Sequence, residues 1–319
     1  MRPPGVVALA PMDGVTDHVY REVLTANARR GAIDFAVSEF LRVTDRPLPP
    51  SVLLRMCPEI GRGGTTASGV PVLLQLLGGQ PEPLAETARV AVEMGAWGVD
   101  LNFGCPARLV NRHDGGASLL KSLDRLEAIV ARVRSAVPKD RPVSVKVRLG
   151  WESHDEVVSV ARAAERGGAS WLTIHGRTKL EMYGPPADWA AIGRARAAVG
   201  IVVVANGDLN STAALERCRV ESGCSHFMLG RGPMGRPSLL CGSASPLADA
   251  PNESRLLVGL LLDYVELLRR WDSPEERLVG RVKQWLSLGK NANPDVVPVF
   301  ERIKRLRNSS ELCTALASS

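Results

Sequence analysis

The chain has 319 residues, of which 45% are hydrophobic and 23% are charged. This composition is ordinary for a packed globular protein and excludes both a disordered polymer and a small disulfide-rich scaffold. Lys and Arg total 40 against 34 acidic residues, so the formal net charge is +6. A modest basic excess permits an anionic partner, but aromatic residues make up only 4%, which argues against extensive base stacking.

Cysteine spacing and hydropathy indicate the cellular compartment in which the protein is expected. None of the six cysteines forms a C-x-x-C pair or another spacing that is typical of zinc or iron–sulfur sites. The amino-terminal sequence lacks the pattern of a secretory signal, and no run approaches the roughly 18 apolar residues of a transmembrane helix. We therefore expect a cytoplasmic protein with reduced thiols, without a bound metal and without membrane contact. We further expect a monomer, although no sequence feature above determines the oligomeric state.

Short apolar runs that are rich in β-branched residues predict eight strands. The runs are residues 6–12, 35–40, 71–78, 97–104, 143–150, 171–178, 201–208 and 226–232. Helix-length stretches separate most of them, for example residues 82–96, 123–137, 154–169 and 211–222. This alternation predicts βα units, and eight of them in about 230 residues predict a (β/α)8 TIM barrel. A doubly wound sheet is the alternative, but the first run is not followed by a glycine-rich dinucleotide loop.

The chain changes character after residue 242. The segment GSASPLADAPNES (242–254) is rich in small residues and proline and predicts a linker. The remainder shows helical periodicity in three stretches, residues 255–271, 275–290 and 296–316. The sequence therefore predicts an α/β TIM-barrel domain over residues 1–242 and a small all-helical domain over residues 243–319.

Each predicted strand begins apolar and ends in polar residues or glycine. Because the carboxyl ends of TIM-barrel strands build the active site, these polar ends predict one functional rim. Lys146, Arg148 and His175 support this interpretation, since such side chains are costly to place near a barrel core without partners.

Two glycine-containing turns on this rim predict a phosphate site. ANGD (205–208) ends the seventh run and HFMLGRGPMGRP (226–237) contains the eighth, and barrel phosphate sites commonly use these two loops. Glycine lets a phosphate approach backbone N–H groups, and Arg231 supplies a fork of donors. A flavin also needs a cation near the atoms that become negative on reduction, a role suited to Lys146, while Gln75 suits the opposite ring edge. Together these residues predict a bound flavin.

Cys105 follows the fourth predicted strand, between Gly104 and Pro106, and a glycine-containing loop comes next. An ordinary thiol has a pKa of about 8.5, so it is mostly protonated at neutral pH and able to donate a proton. A lone cysteine is more commonly buried and inert, and we interpret the other five cysteines in that way. The position of Cys105 on the catalytic rim instead predicts a general acid.

The motifs of this rim resemble those of a known family. APMDGVTD, QLLG, GVDLNFGCP, GGASLL, VSVKVRLGW, HGRT, ANGD and GRG together are similar to the tRNA-dihydrouridine synthase family, over almost the whole chain. In the tail, RVKQWLS (281–287) and VFERIKRLRNSSEL (299–312) most resemble the bacterial C-type subfamily, which modifies uridine 16 in the tRNA D-loop.

The resemblance implies a cofactor, a reaction and a set of residues. NADPH, or NADH, would reduce a bound FMN, and hydride would pass to C6 of a flipped-out uracil while Cys105 protonates C5. The residues implied to hold FMN are Pro11, Met12, Asp13, Gln75, Lys146, His175, Asn206, Gly207, Asp208, Gly230 and Arg231. The residues implied to contact the uracil or the tRNA are Asn102, Arg148, Arg177, Arg42, Arg281, Lys283 and Lys304.

Two other hypotheses stay open, an FMN-dependent barrel oxidoreductase for a small pyrimidine or enone and a non-catalytic RNA-binding protein. The distribution of charge bears on the first of them. Residues 277–307 contain eight Lys and Arg side chains against Asp295 and Glu301, and this excess equals the whole formal net charge of +6. We therefore expect a basic surface on the helical domain beside a nearly neutral barrel, which a small substrate would not need.

Overall fold

The structure is a computed structural model that describes residues 5–107, 115–184, 186–241 and 252–318. Two predicted features fall partly outside these residues. They are residues 108–114 of the loop after Cys105 and residues 242–251 of the predicted linker.

All eight predicted strands form, and each is shorter than the run that predicted it. In chain order the strands are β1 (Val7–Leu9), β2 (Phe35–Val37), β3 (Leu41–Arg42), β4 (Val72–Leu77), β5 (Gly98–Phe103), β6 (Val143–Arg148), β7 (Trp171–His175), β8 (Val202–Asn206) and β9 (His226–Leu229). The two-residue β3, which pairs with the end of β4, is an addition that the sequence did not predict. The other strands pair in parallel in the order β2-β1-β9-β8-β7-β6-β5-β4, and a β2–β4 pairing closes the ring. The TIM-barrel prediction is confirmed.

Helices follow the strands. They are α1 (His18–Asn27), α2 (Pro50–Met56), α3 (Pro81–Glu93), α4 (Leu123–Ala136), α5 (Val157–Arg166), α6 (Trp189–Ala198), α7 (Thr212–Ser222) and the one-turn α8 (Gly232–Gly235). Short 3-10 helices lie at Pro58–Arg62, Gly116–Lys121, His154–Glu156 and Pro237–Leu239. Several helices begin at a side-chain cap, as where Asp17 accepts a hydrogen bond from the Tyr20 N–H at 2.9 Å. Such caps satisfy N–H groups that have no partner within the helix.

Apolar side chains pack on both faces of the barrel wall. A small inner cluster contains Ala8, Phe35, Leu73, Val204 and Met228, and a larger cluster fills the space between the strands and the helices. Because successive side chains of a strand point to opposite faces, the residues two positions beyond this inner cluster also face the interior. The barrel interior is therefore apolar at the amino ends of the strands and can be polar at their carboxyl ends.

The tail is helical, as predicted. Its helices are α9 (Glu253–Arg270), α10 (Glu275–Ala292), α11 (Val297–Ile303) and α12 (Ser309–Ala317), with a 3-10 turn at Pro294–Val296. We call residues 252–318 the helical segment.

The helical segment packs on the barrel through buried side chains of α10 and the residue that follows it. The Trp285 indole N–H donates to the Met234 carbonyl at 3.1 Å, and the Asn293 amide donates to the Gly235 carbonyl at 2.9 Å. The Trp285 ring also lies 4.7 Å from the Tyr20 ring of α1. These contacts join the helical segment to α1 and to the turn after β9, and the boundary between two domains stays a prediction.

In the parts of the chain that the structure describes, no helix combines the length and the apolar character that crossing a membrane requires.

Candidate active site

A cavity of about 600 Å³ opens at the carboxyl end of the barrel, a volume that suits a cofactor-sized ligand. Most of the residues predicted to bind a cofactor or the uracil line this cavity. Those that do so are Pro11, Met12, Asp13, Asn102, Cys105, Lys146, Arg148, His175, Asn206, Gly207, Asp208, Gly230 and Arg231.

Strand register explains why these side chains meet. Asn102 lies opposite Lys146, and His175 lies opposite both Arg148 and Asn206. All five occupy inward positions at or near the ends of neighbouring strands, so the period of two brings them to the same cavity. The structure thus brings these polar residues together at one rim, and their functional roles stay predictions.

Cys105 lies on the cavity wall just beyond β5, partly exposed. The side-chain oxygen of Asn102 accepts hydrogen bonds from the backbone N–H groups of Gly104 at 3.0 Å and Cys105 at 2.9 Å. Arg148 Nε donates to the Gly104 carbonyl at 2.9 Å, so side chains of two strands hold this turn. Burial raises the pKa of the Cys105 thiol, which therefore keeps its proton at neutral pH, as a general acid must.

Asn102 is itself held by a buried network. Its amide donates to Gln75 Oε1 at 2.9 Å, and Gln75 Nε2 donates to Asp100 Oδ2 at 2.7 Å, while the Ser144 hydroxyl donates to the other oxygen of Asp100. Gln75 and Asp100 are fully buried, so Gln75 lies behind the cavity wall and reaches the cavity through Asn102. Its predicted contact with a flavin stays a prediction. Burial raises the pKa of Asp100, although the hydrogen bonds from Gln75 and Ser144 oppose that shift.

Lys146 places a half-buried positive charge on the cavity wall. Its Nζ lies 3.3 Å from Asn206 Oδ1, and no described carboxylate lies within ion-pair distance of it. Burial, reinforced by the Arg148 guanidinium, lowers the pKa of Lys146 to about 8. An ammonium that is partly removed from water with so little compensation is costly, and an anionic ligand in this part of the cavity would offset that cost.

His175 adds a second polar group that lacks a partner. Its Nδ1 is buried and has no hydrogen-bond partner among the described residues. Burial and the positive charges of Lys146 and Arg148 hold the pKa of His175 well below its ordinary value, so the imidazole is neutral. A neutral imidazole can donate or accept a hydrogen bond to the polar edge of a ligand.

The turn after β8 has an unusual backbone. Gly207 has a φ of +114° and Asp208 a φ of +55°, a left-handed region in which non-glycine residues are uncommon. The Asp208 carboxylate accepts a hydrogen bond from the Ala187 N–H at 2.9 Å and pairs with Arg177 Nη2 at 2.6 Å and Arg231 Nη2 at 3.8 Å. Arg177 is only 3% exposed and pairs with Asp208 at the cavity, and its predicted contact with RNA stays a prediction.

Tyr183 is a cavity residue that the sequence reasoning missed. Its ring is 58% exposed at the cavity mouth, with the Arg148 guanidinium 5.2 Å and the Arg231 guanidinium 5.8 Å from the ring centroid. Arg148 also donates to the Met182 carbonyl at 2.7 Å, which ties this loop to the end of β6. An exposed aromatic ring at the mouth of this cavity provides a surface on which a base could stack. The available signal was a rare tyrosine in the loop directly after the HGRT motif.

Three of the residues predicted to contact tRNA lie outside the cavity at partly exposed positions. Arg42 is half-buried on β3, at the carboxyl rim of the barrel. Lys283 donates to the Leu306 carbonyl, and Lys304 pairs with Glu301 one turn away. Their contact with tRNA stays a prediction.

Arg281 has a different environment from the one predicted. Its side chain is only 12% exposed and forms an ion pair with Asp17, and it donates to the carbonyls of Gly14 and Val15. These acceptors belong to the loop after β1, which also carries the cavity residue Met12. Arg281 thus links the helical segment to a cavity loop, and its donors face the barrel instead of solvent.

The comparison with known families decides the classification. A model of the family described as dihydrouridine synthase (Dus) matches residues 8–258. The chain belongs to the dihydrouridine synthase family.

Curated relatives extend this match to nearly full length. The chain is 42% identical over 316 residues to a tRNA-dihydrouridine(16) synthase of Aquipseudomonas alcaligenes, which covers 98% of this chain and 99% of that protein. It is 40% identical over 315 residues to a protein of the same name from Escherichia coli O157:H7, which covers 97% of this chain and 96% of the relative.

Solved structures support the barrel fold alone. A 2-naphthoyl-CoA reductase superposes with a TM-score of 0.54 at 15% identity, over 73% of this chain and 49% of that one. A histamine dehydrogenase from Rhizobium superposes with a TM-score of 0.53 at 11% identity, over 75% of this chain and 46% of that one.

Enzymes of the dihydrouridine synthase family are flavin-dependent oxidoreductases that use NAD(P)H. The cavity residues fit such a cofactor, because among the described residues Lys146 is a half-buried cation without a carboxylate partner and His175 Nδ1 is a buried atom without a hydrogen bond. Both observations are explained by a ligand that carries negative charge and ring acceptors.

Proposed function

We propose that the protein is a tRNA-dihydrouridine synthase that reduces the C5=C6 bond of uridine 16 in the D-loop, with FMN as its cofactor and NADPH or NADH as its reductant. The observation that carries the proposal is one cavity that combines a protonated thiol, Cys105, with the half-buried cation Lys146. The names of the full-length relatives support tRNA as the substrate and position 16 as the target.

The residues suited to holding FMN divide into two groups. Gly207, Gly230 and Arg231 would surround the phosphate, with Asp208 orienting the Arg231 guanidinium. Lys146 would lie near the ring atoms that gain negative charge on reduction. When bound and reduced, the flavin would supply the hydride that reaches C6 of the uracil.

Cys105 would complete the reduction at the neighbouring carbon. Addition of hydride at C6 leaves an enolate in the pyrimidine, and the Cys105 thiol would donate its proton to C5 to give the saturated ring. The resulting thiolate regains a proton from solvent, so one hydride and one proton are added to each uridine. Asn102 and Arg148 act as positioning residues, because their hydrogen bonds to residues 104 and 105 fix the turn that carries the thiol.

The uracil must leave the RNA stack to reach this cavity. Tyr183 at the cavity mouth, flanked by Arg148 and Arg231, offers the flipped base a surface for stacking. The helical segment, with its basic excess in residues 277–307, would contact the RNA backbone.

The test combines the mapping of dihydrouridine in cellular tRNA with the substitution of Cys105. Dihydrouridine should be missing from position 16 of tRNA in a strain that lacks this protein, and the wild-type gene should restore it. Cys105→Ala should keep bound flavin and NADPH oxidation but lose at least about 100-fold in dihydrouridine formation, the usual contribution of a general acid. Cys313→Ala, in the helical segment and also partly exposed, is the matched control and should behave as the wild type does.

Each outcome has a clear meaning. Position 16 fully modified in the deletion strain would refute the assignment to that uridine. Reduction of free uracil or an enone, without any reduction of tRNA, would instead favour the small-molecule oxidoreductase. Cys105→Ala with unchanged tRNA reduction would remove the thiol from the mechanism.

A further inference from the structure

A cluster of two lysines and a tryptophan lies at the carboxyl end of the barrel, outside the cavity. Lys121 Nζ is 4.0 Å and Lys179 Nζ is 4.4 Å from the centroid of the Trp151 ring. The three residues follow β5, β6 and β7, so three consecutive strand-to-helix connections supply them. All three lie on the same end of the barrel as the cavity because they follow the carboxyl ends of these strands.

Backbone hydrogen bonds hold this cluster in place. The Lys179 N–H donates to the Gly150 carbonyl at 2.9 Å, and the Leu180 N–H donates to the Trp151 carbonyl at 3.1 Å. Lys121 ends the 3-10 helix Gly116–Lys121, whose apolar residues are buried. The fold therefore fixes the backbone positions from which the two long lysine side chains extend.

The positive charge of the cluster is not neutralised by the protein. Neither Lys121 nor Lys179 has a carboxylate within ion-pair distance among the residues that the structure describes. Nearby acids are occupied elsewhere, since Glu156 accepts hydrogen bonds from three backbone N–H groups of its own turn and Glu181 from the N–H of residue 178. Glu152 is exposed and pairs with neither lysine. Two like charges beside one aromatic ring repel each other, and an anion between them would relieve that repulsion.

The barrel places this cluster directly across the cavity from the helical segment. Along the closed strand order, β6 is four strands from β1 in either direction. Arg281 of the helical segment binds the loop after β1 through Asp17 and the Val15 carbonyl. Trp151 lies after β6, on the opposite side of the ring. A nucleotide bound in the cavity would therefore have the helical segment on one side and the lysine cluster on the other.

We propose that Lys121, Trp151 and Lys179 form a second RNA-backbone site, which binds phosphates on the side of the cavity away from the helical segment. The inference rests on the proposed function, because only a polyanion longer than one nucleotide spans both sides. The lysines would contact phosphate oxygens as point charges, and the indole would pack against a sugar or base. Such contacts carry no sequence information but would fix the register of the RNA over the cavity.

The test measures the affinity of flavin-loaded protein for an unmodified tRNA transcript over a range of salt concentrations. Lys121→Gln with Lys179→Gln should weaken binding about three- to tenfold and lower the slope of log Kd against log salt by about 1 to 2. The control is Lys139→Gln, which removes an exposed lysine next to the amino end of β6, at the opposite end of the barrel. It should leave both quantities within error.

A second measurement does not depend on variants. Acetylation of surface lysines, quantified by mass spectrometry with and without tRNA, should show protection of residues 121 and 179 but not of residue 139.

Equal affinity and equal slope for the double variant and the Lys139→Gln control, in a protein that reduces tRNA, would overturn the second RNA site alone. A wild-type protein that neither binds nor reduces tRNA would overturn the proposed function and this inference with it.

Discussion

Substitution of Arg281 by Ala tests how the helical segment is joined to the cavity. The guanidinium forms an ion pair with Asp17 and hydrogen bonds to the carbonyls of Gly14 and Val15, and the side chains of Arg281 and Asp17 are 12% and 7% exposed. Removal of the arginine would leave the Asp17 carboxylate buried without its partner. The family resemblance instead implied that Arg281 contacts the tRNA, so the two interpretations make different predictions.

The magnitude follows from burial. Breaking a buried ion pair by removing one partner costs about 3–5 kcal/mol, and the small residual exposure of this pair favours the lower end, about 3 kcal/mol. A surface arginine that contacts only RNA would change the free energy of unfolding by no more than about 0.5 kcal/mol. In a chain of this size, about 3 kcal/mol corresponds to a fall of roughly 5–10 °C in the thermal midpoint.

The assay is urea unfolding followed by circular dichroism, with a thermal melt as a second probe. Arg277→Ala is the matched control, because Arg277 is an exposed arginine one turn earlier on the same helix. Asp17→Asn combined with Arg281→Met should recover part of the lost stability, since neither charge then remains unpaired. An Arg281→Ala protein as stable as the Arg277→Ala control, but weakened in tRNA binding, would refute the structural role and support the direct contact.

Two predictions concern protonation. His154 bridges Asp188 at 2.8 Å and Glu181 at 2.9 Å; burial lowers its pKa, but these hydrogen bonds outweigh burial and raise it above the ordinary value. A raised folded pKa gives stabilisation that is complete below the unfolded pKa of about 6.5 and is lost as pH rises through the folded value. Urea unfolding should therefore show a larger deficit for His154→Asn at pH 6 than at pH 9, and equal deficits would contradict the bridge. For Lys146, whose pKa burial and Arg148 lower to about 8, the affinity of the apoprotein for FMN should fall as pH rises past 8. Titration of Lys146→Met should give weaker binding with a flat profile from pH 7 to 9, and a wild-type profile without that fall would argue against the charge contact.

Much of the fold was predictable because its signal is local. The strands β4 to β9 each follow from a short apolar run, and the register that brings Asn102, Lys146 and His175 together follows from their positions at the strand ends. The cavity and its thiol were predictable for the same reason. The short β3 was missed, since two residues carry no periodic signal.

The positions of side chains behind the cavity wall were less predictable. The contact of Gln75 with a flavin stays a prediction, but the sequence did not reveal that Asp100 and Asn102 hydrogen-bond to its amide. This arrangement depends on which inward residues of β4 and β5 lie side by side. Tyr183 was missed because it lies in an irregular loop, where neither spacing nor hydropathy indicates which way a side chain faces.

Three arginines that were expected to contact the uracil or the RNA bind groups of this protein that are distant in sequence. The guanidinium of Arg148 contacts the carbonyls of residues 104, 178 and 182, that of Arg177 contacts Asp208, and that of Arg281 contacts the loop after β1. A guanidinium has five donors in a fixed fork, which suits it to joining separate segments when acceptors converge on it. Those acceptors come from distant parts of the chain, so no local pattern reveals them.

This use of arginine has a consequence for RNA binding. With Arg177 and Arg281 turned into the protein, phosphate contacts are left to other basic side chains, and on the side of the cavity away from the helical segment these include Lys121 and Lys179. Lysine binds phosphate as a flexible point charge without bidentate geometry, so these contacts would attract any RNA backbone and discriminate little between sequences. Selection of the target uridine would then rest on how the two basic sides of the cavity set the RNA register, and on whether a base can leave the stack and reach Cys105.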